Sequence, residues 1–462
     1  MSEKTNLLDD EQMARFIAHG HVTLTPDLPA EFHQEVFERH QEVFDSEGNP
    51  GNNLLPRIPQ VRRVFEDPAV VGALQSVVGE DYYLQPHRHP HFNRAGSEGQ
   101  GMHQDGGKRW SHRTRYLLAF YYPQDTPLER GPSGMVPGSH YFNTPAGARH
   151  DQETPLVTPA GTVTVVDYDL WHRAMPNTSE QNRFMIKFLF ARMSEPRTPS
   201  WDNRQAEWPG AAPALPTDSE ELQSMYAHVW HWHRGLSGHQ TLPPANGRAP
   251  AGLAQTLRSE DERQGIAAAY ALAAFGAEAV PLALAALGDE AEMTRRHAAY
   301  ALSAVGRDAV EGLAGALLHA EPVVRADAAT ILGDIGLAAT EAVAALIKTT
   351  RDPDGAVRQR SAEALGTIAQ ESAAAVPALI DRLADEHQPA RSAAAMALAR
   401  LGPHAAEAVG ALESVLGDEN RYVRADALFA LQRIGTPLAK DTLISHLMPA
   451  RWCPLTTPVS TF

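Results

Sequence analysis

The segment GMHQDGG (101–107) sets His103 and Asp105 two residues apart. In extended chain, residues i and i+2 project to the same side, so both heads can reach one ion. A neutral imidazole and a carboxylate are good donors for Fe(II), and the flanking glycines leave room for ligands. Alone, His-x-Asp is common, and a polar turn explains it better than a metal does. A second segment, GTVTVVDYDLWHRAMPNTSEQNRFMIKFLF (161–190), shifts that balance. It reads as strand, turn, His172, a Pro-Asn turn and a further strand holding Arg183. His172 can complete a 2-His-1-carboxylate triad, which leaves three positions open on one face of the metal. Those positions suit a bidentate 2-oxo acid and O2. Arg183, 11 residues after His172, can hold the far carboxylate of such an acid bidentately. Its other reading is a solvated strand charge, against which its apolar company FMIKFLF argues.

Between the two segments stands GPSGMVPGSHYF (131–142). Together with His103-x-Asp105, the distal His172 and Arg183, this order of motifs closely resembles the phytanoyl-CoA dioxygenase family. The opening stretch LLDDEQMARFIAHGHVTL (7–24) is similar to that family's first helix and strand. The resemblance spans roughly residues 7–195 and implies a double-stranded β-helix, a jelly-roll barrel with iron in its mouth. It also implies Fe(II) as cofactor and 2-oxoglutarate and O2 as co-substrates. Carried over by position, it assigns iron to a catalytic centre of His103, Asp105 and His172, and 2-oxoglutarate to Arg183. One position departs from the family: a small hydroxyl residue often stands two after the distal histidine, where this chain has Ala174. A Thr or Tyr elsewhere would have to supply that hydroxyl. Asp105 disfavours the family's halide-binding variant, because its carboxylate fills the place a halide needs.

Basic residues crowd near the triad: QPHRHPHFNRAG (85–96), then Lys108, Arg109, His112, Arg113 and Arg115. In an acidic chain this local excess suggests an anionic or carboxylated small-molecule substrate, with His87, Arg88, Lys108 and Arg109 as candidate contacts. The same charges would equally serve surface carboxylates or the co-substrate. His87, His89 and His91 alternate and read as pocket or packing residues, since the triad already accounts for a metal. His228, His231 and His233 sit among Trp230 and Trp232 and read as packing.

These residues need a scaffold, and 462 residues suffice for two or three domains with ordinary cores. Hydrophobic content of 43% and charged content of 21% are those of a globular chain. A net charge of −16 and a pI near 5.7 argue against nucleic acid or anionic membranes as partners. The single cysteine, Cys453, excludes an internal disulfide and a thiolate zinc site. The acidic, amphipathic start has no apolar signal core, and no run of 18 apolar residues is seen; a cytoplasmic protein without a membrane span is expected. Residues 1–245 are mixed in texture and hold most of the histidines and all tryptophans but Trp452. Short β-type runs at Tyr116–Tyr122, Thr162–Val166 and Phe184–Phe190, bounded by Gly, Pro and Asn, predict an antiparallel sheet domain. Residues 8–19 and 31–44 predict amphipathic helices. The helix in DSEELQSMYAHVWHWHRG (218–235) is too apolar for a linker; it should pack on the first domain, with the linker near 240–252.

From about residue 250 the chain repeats itself: VRADAATILGDIG (324–336), VRQRSAEALGTIA (357–369), ARSAAAMALARLG (390–402) and VRADALFALQRIG (423–435). Arg295, Arg325, Arg358, Arg391 and Arg424 recur at intervals of 30, 33, 33 and 33. Glycines at 306, 336, 402 and 435 end the first helix of most units, as left-handed caps would. GIAAAYALAAFG (265–276) is a first copy without the arginine. About six helix–turn–helix units follow, each too small to bury its own apolar stripe, so they should stack into an α-solenoid. The pattern resembles HEAT-like repeats. The recurrent arginine should cap turns or bridge neighbouring repeats.

The expectation is therefore a multidomain chain. Residues 1–245 form a double-stranded β-helix domain with flanking helices, its core 7–195 and a helical extension 196–240. Residues 252–450 form an all-α HEAT-like solenoid. The first domain would oxidise a small molecule, and the second would dock a protein partner or mediate self-association. One rival is a repeat scaffold carrying a degenerate barrel, against which the intact triad and Arg183 argue. The other is a cupin-type metalloenzyme independent of 2-oxoglutarate, which the placement of Arg183 disfavours. Hydroxylation, desaturation and ring closure would use the same site.

Overall fold

The structure, a computed structural model, describes residues 6–210, 219–243 and 247–448. Cys453, most of the Pro-rich stretch 208–216 and the end of the solenoid lie outside these residues. The chain divides after Gly235 into two units.

The first unit opens with α1 (Asp10–His19), started by a capping box between Asp9 and Gln12 and closed by Gly20 in the left-handed region. Strand β1 (His21–Leu24) and helix α2 (Ala30–Glu47) follow. Then come β2 (Tyr83–Asn93), β3 (Tyr116–Tyr121), β4 (Ser133–Met135), β5 (Thr154–Pro155), β6 (Val163–Asp167), β7 (His172–Ala174) and β8 (Arg183–Ala191). They form a five-stranded sheet in the order β1-β6-β3-β8-β2 and a three-stranded sheet β5-β4-β7. Every pairing is antiparallel. Leu118, Phe120, Val166, Met185 and Leu189 from the larger sheet share one core with Met135 of the smaller, as in a jelly-roll barrel.

Side-chain alternation along β8 decides what faces that core. Arg183, Met185, Lys187 and Leu189 lie on the inner face. Phe184 and Phe188 lie on the outer one, against Phe37 and Phe44 of α2 and against Phe65. Strand β2 pairs Arg88 with Phe188, His89 with Lys187, His91 with Met185 and Asn93 with Arg183. Directly opposed residues share a face, so His89 and His91 join the inner set, and Arg88 is on the helix-covered side.

The aromatic helix spans Gln223–His233 and belongs to this unit. Trp230 packs on Trp201 and Trp208, and Arg192 lies over Trp232. The Asp10 carboxylate accepts Trp201 Nε1, Asn203 Nδ2 and the backbone N–H groups of Arg204 and Gln205. This ties the extension to α1. His228 and His233 are buried in that packing, and His231 faces Glu207 at 3.4 Å.

The second unit alternates long and short helices. Its six longer helices among the described residues are Glu262–Ala273, Glu292–Val305, Pro322–Ile335, Gly355–Ile368, Gln388–Leu401 and Arg421–Ile434. Successive long helices approach closely: a Cβ added at Gly333 or Gly366 would meet the Cα of Ala364 or Ala397 at 3.0 or 2.8 Å. The glycine stops differ from the expected left-handed caps. Gly435 alone is in that region; Gly306, Gly336 and Gly402 combine positive φ with ψ of −131°, −139° and −125°, a region essentially reserved for glycine. By composition the helical stretch Pro322–Thr349 is long and apolar enough to cross a membrane. It breaks at Ala339, and half of its apolar window is buried in the repeats.

The recurrent arginines form a ladder. Arg325, Arg358 and Arg391 each pair with a carboxylate 27 residues on, Asp352, Asp385 and Asp418, and Arg295 pairs with Asp327. Each also donates Nη1 to turn carbonyls, as Arg358 does to Asp352 O and Pro353 O. Burial alone would raise the Asp385 carboxyl, but Arg358 and Arg382 hold it down, to about 2. Breaking such a pair strands a buried charge. Arg358→Ala should lower stability by about 3 kcal/mol, Arg382 leaving Asp385 partly compensated. Arg351→Ala, which removes a pair whose arginine is 70% exposed, should cost under about 1 kcal/mol. Urea unfolding of the full chain followed by helical circular dichroism checks both.

Candidate metal centre

His103 and His172 meet through their backbones. They form an antiparallel bridge, His103 N–H to His172 O at 3.0 Å and His172 N–H to His103 O at 2.9 Å. Opposed residues in such a bridge project to one side, and the two rings stand 4.7 Å apart. His103 thus lies in a single bridge rather than a full strand, and Asp105 follows in a bend. Asp105 still turns inward: one ligand atom from each of His103, Asp105 and His172 lies within 4.8 Å of the others. His172 Nε2 is 3.6 Å from Asp105 Oδ2.

The ring orientations fit a metal. His103 Nδ1 is 2.9 Å from Gly101 O, and His172 Nδ1 is 2.8 Å from Leu170 O. A carbonyl can only accept, so each Nδ1 carries the proton and each Nε2 keeps its lone pair for the space between the ligands. Burial, with Lys187 nearby, lowers the His172 imidazole to about 4, so it stays neutral as a ligand must be. Burial works to raise the Asp105 carboxyl, but Lys187 and the two histidines more than offset it and hold it ionised. Two imidazoles and one carboxylate with a free face suit Fe(II). Gly106 has a local reason: a Cβ there would overlap the Asp169 carboxylate.

Arg183 enters from the inner face of β8 and is 1% exposed. It donates Nε and Nη2 to Gly131 O at 3.0 and 2.9 Å. A carbonyl satisfies hydrogen bonds without cancelling charge, and no carboxylate among the described residues pairs with this guanidinium. Tyr122 lies close enough for its phenol to feel the arginine's charge, and its hydroxyl donates to Ser133 Oγ at 2.7 Å. Ser133 is the cross-strand partner of Ala174. Hydroxyls from Tyr122 and Ser133 therefore stand in the region that Ala174 leaves without one.

The expected substrate contacts divide. The His87 ring stands edge-on to His89, and the His89 ring is tilted against His91, at 4.7 Å each, on the inner face. His91 Nε2 is buried without a hydrogen-bond partner among the described residues. Arg88 is on the opposite face, where its backbone N–H donates to Asn52. Arg109 is 6% exposed and committed: it pairs with Asp167 at 2.9 Å and Asp169 at 3.3 Å and donates to His140 O. It is a buried strut, and neither it nor Arg88 is placed as the expectation of a substrate contact requires: Arg109 is engaged by two carboxylates and Arg88 lies on the outer face. Lys108 is exposed in the loop after Asp105. Sequence reasoning missed Lys187. This residue is 2% exposed, with Nζ 2.6 Å from Asp105 Oδ2 and 5.6 Å from the Phe120 ring. Its signal was its place four residues after Arg183, on the same face of a strand.

The Pro-Gly-Ser-His turn braces the barrel. Gly138 N–H donates to His19 O, and His140 and Tyr141 reach Ile17 O. Burial holds His140 down to about 3, and His112 and His233 are likewise kept neutral by burial and by neighbouring arginines. In the unfolded chain a histidine takes its proton near pH 6.5, so below that pH the unfolded state binds more protons than the fold. Stability should then fall as pH drops from 6.5, by up to about 1.4 kcal/mol per pH unit for each such histidine. Denaturant titrations at pH 7 and pH 5, followed by tryptophan fluorescence, should give a clearly lower midpoint at pH 5.

Residues 5–185 match the family described as phytanoyl-CoA dioxygenase. Residues 250–329, 310–399 and 376–449 match HEAT repeats. No curated protein matches the chain. Among solved structures it is similar to the epimerase SnoN in complex with Fe3+, alpha ketoglutarate and nogalamycin RO. That likeness has 18% identity and a TM-score of 0.35, and covers 40% of this chain and 84% of that one. It is also similar to the carbocyclase SnoK from nogalamycin biosynthesis, at 19%, 0.35, 40% and 85%. A third is HygX from Streptomyces hygroscopicus with iron bound, at 17%, 0.34, 45% and 95%. The chain thus joins an N-terminal stretch that matches the phytanoyl-CoA dioxygenase family to a run of HEAT repeats.

Proposed function

We propose that the first domain is a non-haem Fe(II)- and 2-oxoglutarate-dependent dioxygenase that oxidises a C–H bond of a small molecule, most simply by hydroxylation. The observation that carries this reading is Arg183: a guanidinium 1% exposed, on the inner barrel face, hydrogen-bonded to the Gly131 carbonyl and without a carboxylate partner among the described residues. A buried charge without a counter-ion is costly, and a diacid co-substrate supplies the missing anion. That need also favours this reading over a metalloenzyme independent of 2-oxoglutarate.

His103 Nε2, an Asp105 oxygen and His172 Nε2 would hold the iron. Bound there, the metal supplies oxidation of a C–H bond by O2, coupled to conversion of 2-oxoglutarate to succinate and CO2. The chain's own part is placement. The carbonyls of Gly101 and Leu170 fix the two imidazoles. Arg183 would take the far carboxylate of the co-substrate. Phe120, whose ring lies 5.5 Å from His172, and Met185 wall the site and exclude water. His87, His89 and His91 line the inner face of β2, where a substrate would lie. The HEAT repeats would serve a protein partner or a second copy, in a cytoplasmic protein. Purified protein given Fe(II), 2-oxoglutarate and O2 should release succinate, and omitting any one should stop it. Release of succinate without added metal after chelation would overturn the reading.

A further inference from the structure

Lys187 is placed where a surface lysine would not be. It points inward from β8, 2% exposed, with Nζ 2.6 Å from Asp105 Oδ2 and the Phe120 ring on one side. Asp105 is the only carboxylate recorded against it among the described residues. The same carboxylate belongs to the metal triad. A divalent cation taking Asp105 draws away most of the negative charge on which the ammonium depends, and burial denies it water in exchange. Asp169, the nearest other carboxylate to Asp105, is engaged by Arg109, and among the described residues no second carboxylate pairs with Lys187. Arg183 lies on the same face two inward positions back along the strand, beyond Met185, and His91, the cross-strand partner of Met185, is kept neutral by burial and by both cations. Loading the metal therefore leaves a cationic inner wall of Lys187 and Arg183 beside it.

We propose that Lys187 is a carboxylate-binding residue of this site, held by Asp105 until a divalent cation takes Asp105 and then offered to the anion that enters beside the metal. The inference rests on the reading of His103, Asp105 and His172 as a metal site. The carboxylate comes either from the co-substrate or from the substrate, and the chemistry of recognition is shared. It gives a structural ground for the anionic ligand that the basic region at 85–96 and 108–115 suggested, with His87, Arg88, Lys108 and Arg109 as its expected contacts.

The test uses Mn(II) as the metal, 2-oxoglutarate and acetate as probes, and the full chain. Mn(II) binding is read by electron paramagnetic resonance, 2-oxoglutarate affinity by calorimetry on the Mn(II)-loaded protein, and acetate by Mn(II)-induced relaxation of its methyl protons with 2-oxoglutarate saturating. In Lys187→Met, Mn(II) should bind as tightly as in wild type or more tightly, because a competing cation is gone. Affinity for one of the two carboxylates should fall about tenfold or more. A loss for 2-oxoglutarate identifies the co-substrate as the occupant; a loss of acetate relaxation alone identifies the substrate's carboxylate. Weaker Mn(II) binding with both carboxylates unaffected would mean that Lys187 only positions Asp105, and would overturn the proposal. So would no change in any of the three. Should Lys187→Met fail to fold, Asp105→Asn decides: it frees Lys187 without metal, and the metal-free variant should bind 2-oxoglutarate or acetate more tightly than metal-free wild type. Equal or weaker binding there overturns the proposal. If wild type binds no Mn(II), the metal reading itself fails and takes the inference with it.

Discussion

His103→Ala should abolish metal retention and succinate formation while leaving the fold in place. The side chain makes one hydrogen bond, to Gly101 O, and packs on the His172 ring. It is partly exposed, and its backbone bridge to His172 survives truncation. What is lost is one of three donors. Loss of an outer-shell partner costs about 10–100-fold in metal affinity or activity; loss of a ligand should exceed that, and turnover should fall by at least about 10³-fold. Asp105→Ala should do the same to chemistry but for two reasons at once. It removes a ligand and also strands Lys187, whose burial then costs about 3–5 kcal/mol. The two variants separate the site from its support. His103→Ala should lose metal at an unchanged melting temperature, and Asp105→Ala should lose metal and melt lower. Metal content by elemental analysis and a thermal melt of each variant make the comparison. Retained succinate release in His103→Ala would remove the triad from the mechanism.

How much of this was legible in sequence depends on how local each interaction is. The solenoid was legible almost entirely, because its signal repeats and its partners lie one repeat away: Arg358 finds Asp385 at 27 residues, inside the period itself. The triad was legible as an ordered set of motifs, but its geometry was not. His103 reaches its place through one bridge to a residue 69 positions on, which no strand periodicity announces. Arg109 looked like a pocket cation because the carboxylates that consume it, Asp167 and Asp169, belong to a distant turn. Arg88 and Lys187 are different cases. Period-two alternation alone puts Arg88 out of phase with His87, His89 and His91, and puts Lys187 in phase with Arg183. Both were readable from spacing once the inner face was fixed by one residue. The glycine stops show the reverse limit. Sequence marks Gly306, Gly336 and Gly402 as helix ends, yet their ψ values depend on the short 3-10 segment that follows.

Arg183→Met should weaken 2-oxoglutarate by about 100-fold or more without lowering stability, and the second half of that outcome carries the argument. Hydrogen bonds to a charged group contribute about 1.5–3 kcal/mol each, so losing a two-pronged contact to a carboxylate removes about 3 kcal/mol or more. A structural arginine would behave otherwise. Arg109, set between Asp167 and Asp169, would leave two carboxylates without their cation on truncation, and the protein would melt lower. Arg183 has no such partner among the described residues; its hydrogen bonds go to Gly131 O. Burial already disfavours its charged form, lowering its pKa. Removing an uncompensated buried charge is neutral or stabilising when the replacement fills similar space, and methionine adapts to irregular gaps. The expected pattern is a large rise in KM for 2-oxoglutarate at a melting temperature equal to or above that of wild type. Excess 2-oxoglutarate should restore part of the turnover, since iron binding by the triad does not involve Arg183. A variant that melts well below wild type would place Arg183 among the struts instead, and the anion it waits for would have to be sought elsewhere.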